Sequence, residues 1–185
     1  YKYAAYRNIL HNKGKKTDGN IYARANVDIA KGLSAYADLQ YRHIDYSIKG
    51  VSDTYDYNIS GMQQLAVNEK YDFFNPKVGL NWKVNPNNRI FASFSVAQKE
   101  PTRDNFTDGD PKAYPKAEKL YDYELGYNFG NKLISAGVNL YYMDYTDQLV
   151  LTGQLSDTGN PMSVNVPDSY RAGVELAFAL RPCSW

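Results

Sequence analysis

Ile21-Tyr22-Ala23-Arg24-Ala25-Asn26-Val27-Asp28-Ile29 decides the fold. Ile21, Ala23, Ala25, Val27 and Ile29 make one face, and Tyr22, Arg24, Asn26 and Asp28 make the other. Successive strand side chains point to opposite faces, so a period of two over this length is a β-strand signal. The apolar positions vary in size, and the opposite face is polar. That pairing suits a strand with lipid on one side and a wet lumen on the other, as in a transmembrane β-barrel.

The pattern recurs along the chain. Lys31-Gly32 reads as a tight turn, after which Leu33, Ala35, Ala37, Leu39 and Tyr41 alternate with Ser34, Tyr36, Asp38, Gln40 and Arg42 to complete a hairpin. Phe74, Pro76, Val78, Leu80, Trp82 and Val84 alternate with Asn75, Lys77, Gly79, Asn81 and Lys83. Pro76 has no amide donor, so it is expected near that strand's start or at a bulge. Asn85-Pro86-Asn87-Asn88 is a second short turn, followed by Ile90, Ala92, Phe94 and Val96. Tyr121, Tyr123, Leu125, Tyr127 and Phe129 run to a third turn, Gly130-Asn131-Lys132, and Ile134, Ala136, Val138, Leu140 and Tyr142 return. Tyr170, Ala172, Val174, Leu176 and Phe178 form the last strand.

Residues 47–70, 98–119 and 144–168 lack a clean period and read as long polar loops, with short strand extensions at most. About seven strands therefore alternate between short turns at one end and long loops at the other. Outer-membrane barrels sort their connections this way, with short periplasmic turns and longer extracellular loops. The expected fold is all-β: an antiparallel up-and-down transmembrane β-barrel, with residues 1–185 as one partial barrel domain. Seven strands leave two open edges, which points to a portion of a larger barrel. The charges on the polar faces, among them Arg24, Asp28, Asp38, Arg42, Lys77, Glu124 and Glu175, suit a wet lumen but equally the solvent face of a sandwich sheet.

Composition narrows the function classes. The 185 residues carry a net charge of +1, which supplies no general field for nucleic acid. Mean hydropathy is −0.58, compatible with a barrel in which only alternate strand residues meet lipid. No stretch approaches the roughly 20 apolar residues of a transmembrane helix. The single cysteine, Cys183, gives no intrachain disulfide. Eighteen tyrosines are the outlier, and their amphipathic rings suit both membrane interfaces and ligand surfaces.

Several ordered segments resemble one family. Phe74-Asn75-Pro76-Lys77-Val78-Gly79-Leu80 precedes Asn85-Pro86-Asn87-Asn88-Arg89-Ile90-Phe91-Ala92-Ser93-Phe94-Ser95 and Glu100-Pro101-Thr102-Arg103-Asp104-Asn105-Phe106. Glu118-Lys119-Leu120-Tyr121-Asp122-Tyr123-Glu124-Leu125-Gly126-Tyr127, then Tyr142-Met143-Asp144-Tyr145-Thr146-Asp147-Gln148-Leu149, then Val166-Pro167-Asp168-Ser169-Tyr170-Arg171-Ala172-Gly173-Val174-Glu175-Leu176 follow. In order and spacing they resemble the barrel of TonB-dependent outer-membrane receptors, in the form common among Bacteroidetes-type bacteria. The resemblance covers residues 71–180 by motif and the earlier hairpin by pattern. It implies a 22-stranded barrel closed by an N-terminal plug, and energised uptake in which the TonB complex pulls on that plug. It implies outer-membrane lipid, a small-molecule nutrient such as an iron chelate, and a surface lipoprotein as partners. The chain departs from the pattern in showing no plug, no TonB box and no final strands, and Trp185 is read as unrelated to a terminal barrel aromatic.

No catalytic constellation is visible, so an enzyme is not expected. His11 and His43 lack ligand spacing, and no Gly-x-Ser-x-Gly elbow or phosphate loop occurs. Asp104, Asp108, Gly109 and Asp110 invite a calcium reading, but Phe106 and Pro115 would fall at the third and twelfth positions of an EF-hand loop, where oxygen ligands are required. No metal or cofactor is expected. Tyr55, Tyr57, Arg103, Asp104, Phe106 and Tyr114 lie in the extracellular loops and are the candidate ligand contacts. The expected function is outer-membrane uptake of a scarce nutrient, with a ferric siderophore first. The alternatives are a passive porin-like channel or adhesin barrel, and a soluble all-β binding module that would bury Ile21, Val27, Leu39, Val138 and Leu140 together.

Overall fold

The computed structural model describes residues 11–56, 59–109, 114–156 and 159–182. Cys183 and Trp185 lie outside them. Seven strands form one antiparallel meander in chain order: β1 (His11–Ala30), β2 (Leu33–Asp56), β3 (Gly61–Asn85), β4 (Asn88–Lys99), β5 (Glu118–Gly130), β6 (Ile134–Leu155) and β7 (Pro161–Leu180). One short helix, α1 (Arg103–Thr107), lies between β4 and β5.

The register brings every apolar stripe onto one face. Ile21 pairs with Tyr41, and Tyr41 with Phe74. Leu80 pairs with both Ala35 and Ala92, and Ala92 with Leu125. Leu125 pairs with Leu140, and Leu140 with Val174. This face stays open: Leu125 is 51% exposed, Leu176 80% and Phe178 72%. The residues that a sandwich would bury are not buried, since Ile21 is 71% exposed, Val27 58% and Leu39 44%. That removes the soluble-module reading. The stripe from Phe74 to Val84 spans ten residue steps, which at about 3.3 Å per step and a tilt of about 40° cover about 25 Å, the height of a lipid-facing band. Aromatic rings line its upper margin, where Phe94 stacks on Tyr121 at 6.4 Å and Tyr142 on Tyr170 at 5.9 Å.

The opposite face holds polar groups and close packing. Arg24 donates two hydrogen bonds to Asp38 across the β1–β2 ladder, at 2.6 and 2.9 Å. The rings of Tyr36 and Phe91 lie over Gly79 and Gly126, where a Cβ would collide with them. Glycine at these two positions lets a large lumenal ring lie flat on its neighbour strand.

The loops differ from expectation. Residues 47–70 and 144–168 are mostly strand: β2 and β3 extend to a tip after Asp56 and before Gly61, and β6 and β7 to a tip between Leu155 and Pro161. Among the described residues, 100–109 and 114–117 hold no strand and stay a long connection, as expected. The short turns fall where expected, at Lys31-Gly32, between Asn85 and Asn88, and between Gly130 and Ile134. The wall is therefore stepped. β4 and β5 have 12 and 13 residues, against 24 and 25 for β2 and β3. Pro76 sits at the step, not at a strand start. The β2–β3 ladder runs through it, while the β3–β4 ladder, followed up from the turn, stops one residue short of it, at Lys77 with Ser95. Without an amide hydrogen it cannot extend the ladder toward β4, and Gln98 instead donates its side-chain amide to the Phe74 carbonyl at 2.9 Å.

Leu125→Arg, at the centre of the apolar face, is expected to destabilise the barrel by about 2–4 kcal/mol, whereas Ser93→Lys on the polar face changes it much less. Urea titration of the full-length protein in lipid vesicles checks the difference.

Candidate functional site

Above the aromatic margin the two faces exchange character. On β2, Ile44, Tyr46 and Ile48 continue the polar-face positions of Asp38 and Arg42, yet they are buried. On β3, Leu65, Val67 and Phe73 do the same. These six residues and Phe106 of α1 form the one buried core cluster among the described residues. The α1 segment of the β4–β5 loop therefore folds onto the inward face of the β2–β3 extension. Phe106 is 1% exposed, 5.9 Å from Tyr46 and 5.8 Å edge-on from Tyr114. Burying that ring contributes roughly 1.5–3 kcal/mol to docking.

Polar contacts fix the helix over this cluster. Asn105 Oδ1 accepts from the Thr102 amide at 2.8 Å and its hydroxyl at 2.7 Å, which closes the first turn of α1. The Thr54 hydroxyl donates to the Thr107 carbonyl at 2.8 Å, and the Ser52 hydroxyl donates to Gln63 Oε1 at 2.9 Å. On the far side, the Asn160 amide donates to Asp108 Oδ1 at 3.0 Å. The Lys116 amide donates to Asn165 Oδ1 at 2.8 Å, and Asn165 Nδ2 donates to the Asp147 carbonyl at 2.6 Å. The loop thus bridges the β2–β3 and β6–β7 hairpins across the step.

A charge cluster holds the loop's start. Arg42 donates to Asp18 at 2.6 Å and to Glu100 at 3.0 Å, and Lys16 donates to Glu100 at 2.6 Å. The Arg42 guanidinium holds the Asp18 carboxyl at about 2. Burial works to raise Glu100, but the Lys16 hydrogen bond and the neighbouring cations outweigh it, and its carboxyl stays below the usual range. The hydrogen bond to Glu100 in turn raises Lys16. Beside this cluster a cleft of about 370 Å³ is lined by Lys16, Arg42, Tyr46, Lys99, Glu100 and Arg103. A second cleft of about 400 Å³ lies between α1 and the β6–β7 tip, lined by Asp104, Asn105, Asp108, Leu151 and Asn160 among others.

Four of the expected contacts share this loop. Arg103 lines the first cleft and donates to Asn12, and Asp104 lines the second. Tyr114 is 40% exposed. Phe106 is not at the surface but beneath the loop, as its anchor. Tyr55 is half-buried and pairs with Met62 across the β2–β3 hairpin, and Tyr57 lies outside the described residues. Sequence reasoning missed Lys16, Asp18 and Tyr46 because nothing local ties them to Glu100 or Phe106. Among the described residues no three His, Cys, Asp or Glu side chains converge as a metal site.

Residues 2–185 match the family model described as TonB dependent receptor-like, beta-barrel. The chain belongs to that family. Its place is the bacterial outer membrane, with the short turns on the periplasmic side and the docked loop outside. Solved structures show the same fold. The FrpB iron transporter from Neisseria meningitidis aligns at TM-score 0.66 with 18% identity, over 92% of this chain and 24% of that one. Copper transporter OprC aligns at 0.76 with 11% identity, over 92% and 27%. The ferric yersiniabactin uptake receptor FyuA from Yersinia pestis aligns at 0.65 with 15% identity, over 93% and 26%. The chain thus spans about a quarter of the length of these structures. No curated protein sequence matches it.

Phe106→Ala is expected to undock the loop while leaving the strands intact, so trypsin cleavage after Arg103 should accelerate at least about tenfold. The depressed carboxyl of Glu100, held by Lys16 and Arg42, favours docking above the ordinary carboxylate range, and this contribution is lost as pH falls below that range. Protection of the amides of residues 100–109 against hydrogen exchange, taken relative to the intrinsic rate at each pH, should therefore be high at about pH 6 and fall below about pH 4.

Proposed function

We propose that this chain is part of the barrel of an outer-membrane receptor that imports a scarce nutrient, a ferric siderophore first, by TonB-dependent active transport. The cleft beside the docked loop carries the reading. Along its lining Lys16 and Arg42 are matched by Asp18 and Glu100, Lys99 lies 3.7 Å from Glu118, and Arg103 is the cation with no carboxylate partner among the described residues. A cationic surplus at the lumen mouth favours an anionic cargo such as a carboxylate- or phenolate-bearing iron chelate. The structural neighbours support the same cargo class: an iron transporter, a ferric yersiniabactin receptor, a ferric-catecholate import receptor and a hemophore receptor in complex with heme.

In this reading Arg103 and Tyr114 contact cargo directly, with Tyr55 and Asp104 as further contacts and Phe106 holding the loop from below. Energy reaches the barrel through a plug elsewhere in the full-length protein, which engages the TonB complex. The test is growth of a deletion strain on ferric siderophores as sole iron source, complemented by wild-type or Arg103→Ala protein. Loss of a charge-assisted contact should reduce uptake by roughly tenfold or more. Unimpaired uptake without the gene, or steady ion conductance by the purified full-length protein in a planar bilayer, would contradict the proposal.

A further inference from the structure

The outward face of β1–β3 above the lipid band carries charges that the cleft does not use. Reading up from the Ile21–Tyr41–Phe74 row, the outward positions are Gly19, His43 and Asp72, then Thr17, Asp45 and Lys70. The next rows are Lys15, Ser47 and Asn68, then Lys13, Lys49 and Ala66. The two lower rows neutralise themselves. The Tyr41 hydroxyl donates to Asp72 at 2.6 Å, His43 Nδ1 is 2.6 Å from the same oxygen, and Lys70 Nζ lies 3.7 Å from Asp45.

The two upper rows hold only positive charge. Lys13 and Lys49 are direct cross-strand partners, and Lys15 is the next outward residue on β1. All three are exposed, and none has an ion-pair partner among the described residues. Like charges directly opposite, about 5 Å apart at Cβ, repel each other. An external anion would relieve that repulsion.

Height decides which anion. Lys15 lies six residues beyond Tyr41's level and Lys13 and Lys49 eight, which at the same rise and tilt is about 15 and 20 Å above the aromatic row. A phospholipid headgroup layer is only about 6 Å deep, so the three lysines stand above it. They lie at the height of the charged saccharide that an outer-leaflet glycolipid presents. We propose that Lys13, Lys15 and Lys49 form a binding site for the phosphate- and carboxylate-bearing saccharide of lipopolysaccharide. The site is continuous with the lipid-facing band and independent of the imported cargo.

The test uses the full-length protein purified in detergent and titrated with lipopolysaccharide, its dephosphorylated form and phosphatidylglycerol. The combined variant Lys13→Gln, Lys15→Gln, Lys49→Gln should bind lipopolysaccharide at least about tenfold more weakly. The matching Lys→Arg variant should bind as wild type does, as should Lys83→Gln at the turn end. Affinity of the wild type should fall as salt rises, which keeps the proposal testable should the Gln variant fail to fold. Binding by the Gln variant within twofold of wild type, no salt dependence, or equal affinity for phosphatidylglycerol or the dephosphorylated glycolipid would overturn the site.

Discussion

Everything in this structure depends on strand register. Inside a bilayer no water is available to satisfy a free amide or carbonyl, so each must pair along a ladder. A ladder pairs side chains as well as backbone, and a slip of one residue moves every side chain of a strand to the other face. Here six successive ladders hold Ile21, Tyr41, Phe74, Leu80, Leu125, Leu140 and Val174 on the same side. Arg24 with Asp38 sits on the other side for the same reason. The open apolar face is a consequence of this constraint and not a defect of packing.

Above the bilayer the constraint relaxes and water reaches both faces. Two hairpins continue, and β4 and β5 stop, with Pro76 ending the ladder between β3 and β4. Stopping leaves strand edges exposed on either side of the step. The described parts of the β4–β5 loop cross the step, with apolar contacts and hydrogen bonds toward β2 and hydrogen bonds toward β6 and β7. Glu118 adds a cap on the free edge of β6, where it accepts from the Leu149 amide at 3.2 Å. The candidate site is therefore a product of unequal strand lengths, since the clefts lie where the loop crosses from one hairpin to the other.

The strand count, the lipid face and the sorting of turns were legible from alternation alone. Residues 47–70 were not, because the alternation does not stop there but changes phase. Arg42 is followed by inward Ile44, Tyr46 and Ile48, and Phe73 and Phe74 are adjacent residues that point to opposite faces. A window that demands one phase sees no period across that point. The docked loop was legible only as an aromatic and charged segment. Its anchor, Phe106, has the composition of a ligand contact, and only the long-range pairing with Tyr46 shows that it is buried. Lys16 and Asp18 lie 84 and 82 positions before Glu100 in the chain, so no local pattern could join them.

The phase change is the central claim, and a spin-label scan of β2 in lipid vesicles tests it most directly, with Cys183 replaced by Ser in the full-length protein. Labels at Leu39 and Ala37 should be relaxed by oxygen, and labels at Asp38 and Gln40 by a water-soluble nickel chelate. Beyond Arg42 the pattern should invert, with His43 and Asp45 open to the chelate and Ile44 and Ile48 shielded from both. Chelate access at Ile44 and Ile48 together with oxygen access at His43 and Asp45 would mean that the lower pattern simply continues, and it would contradict the account.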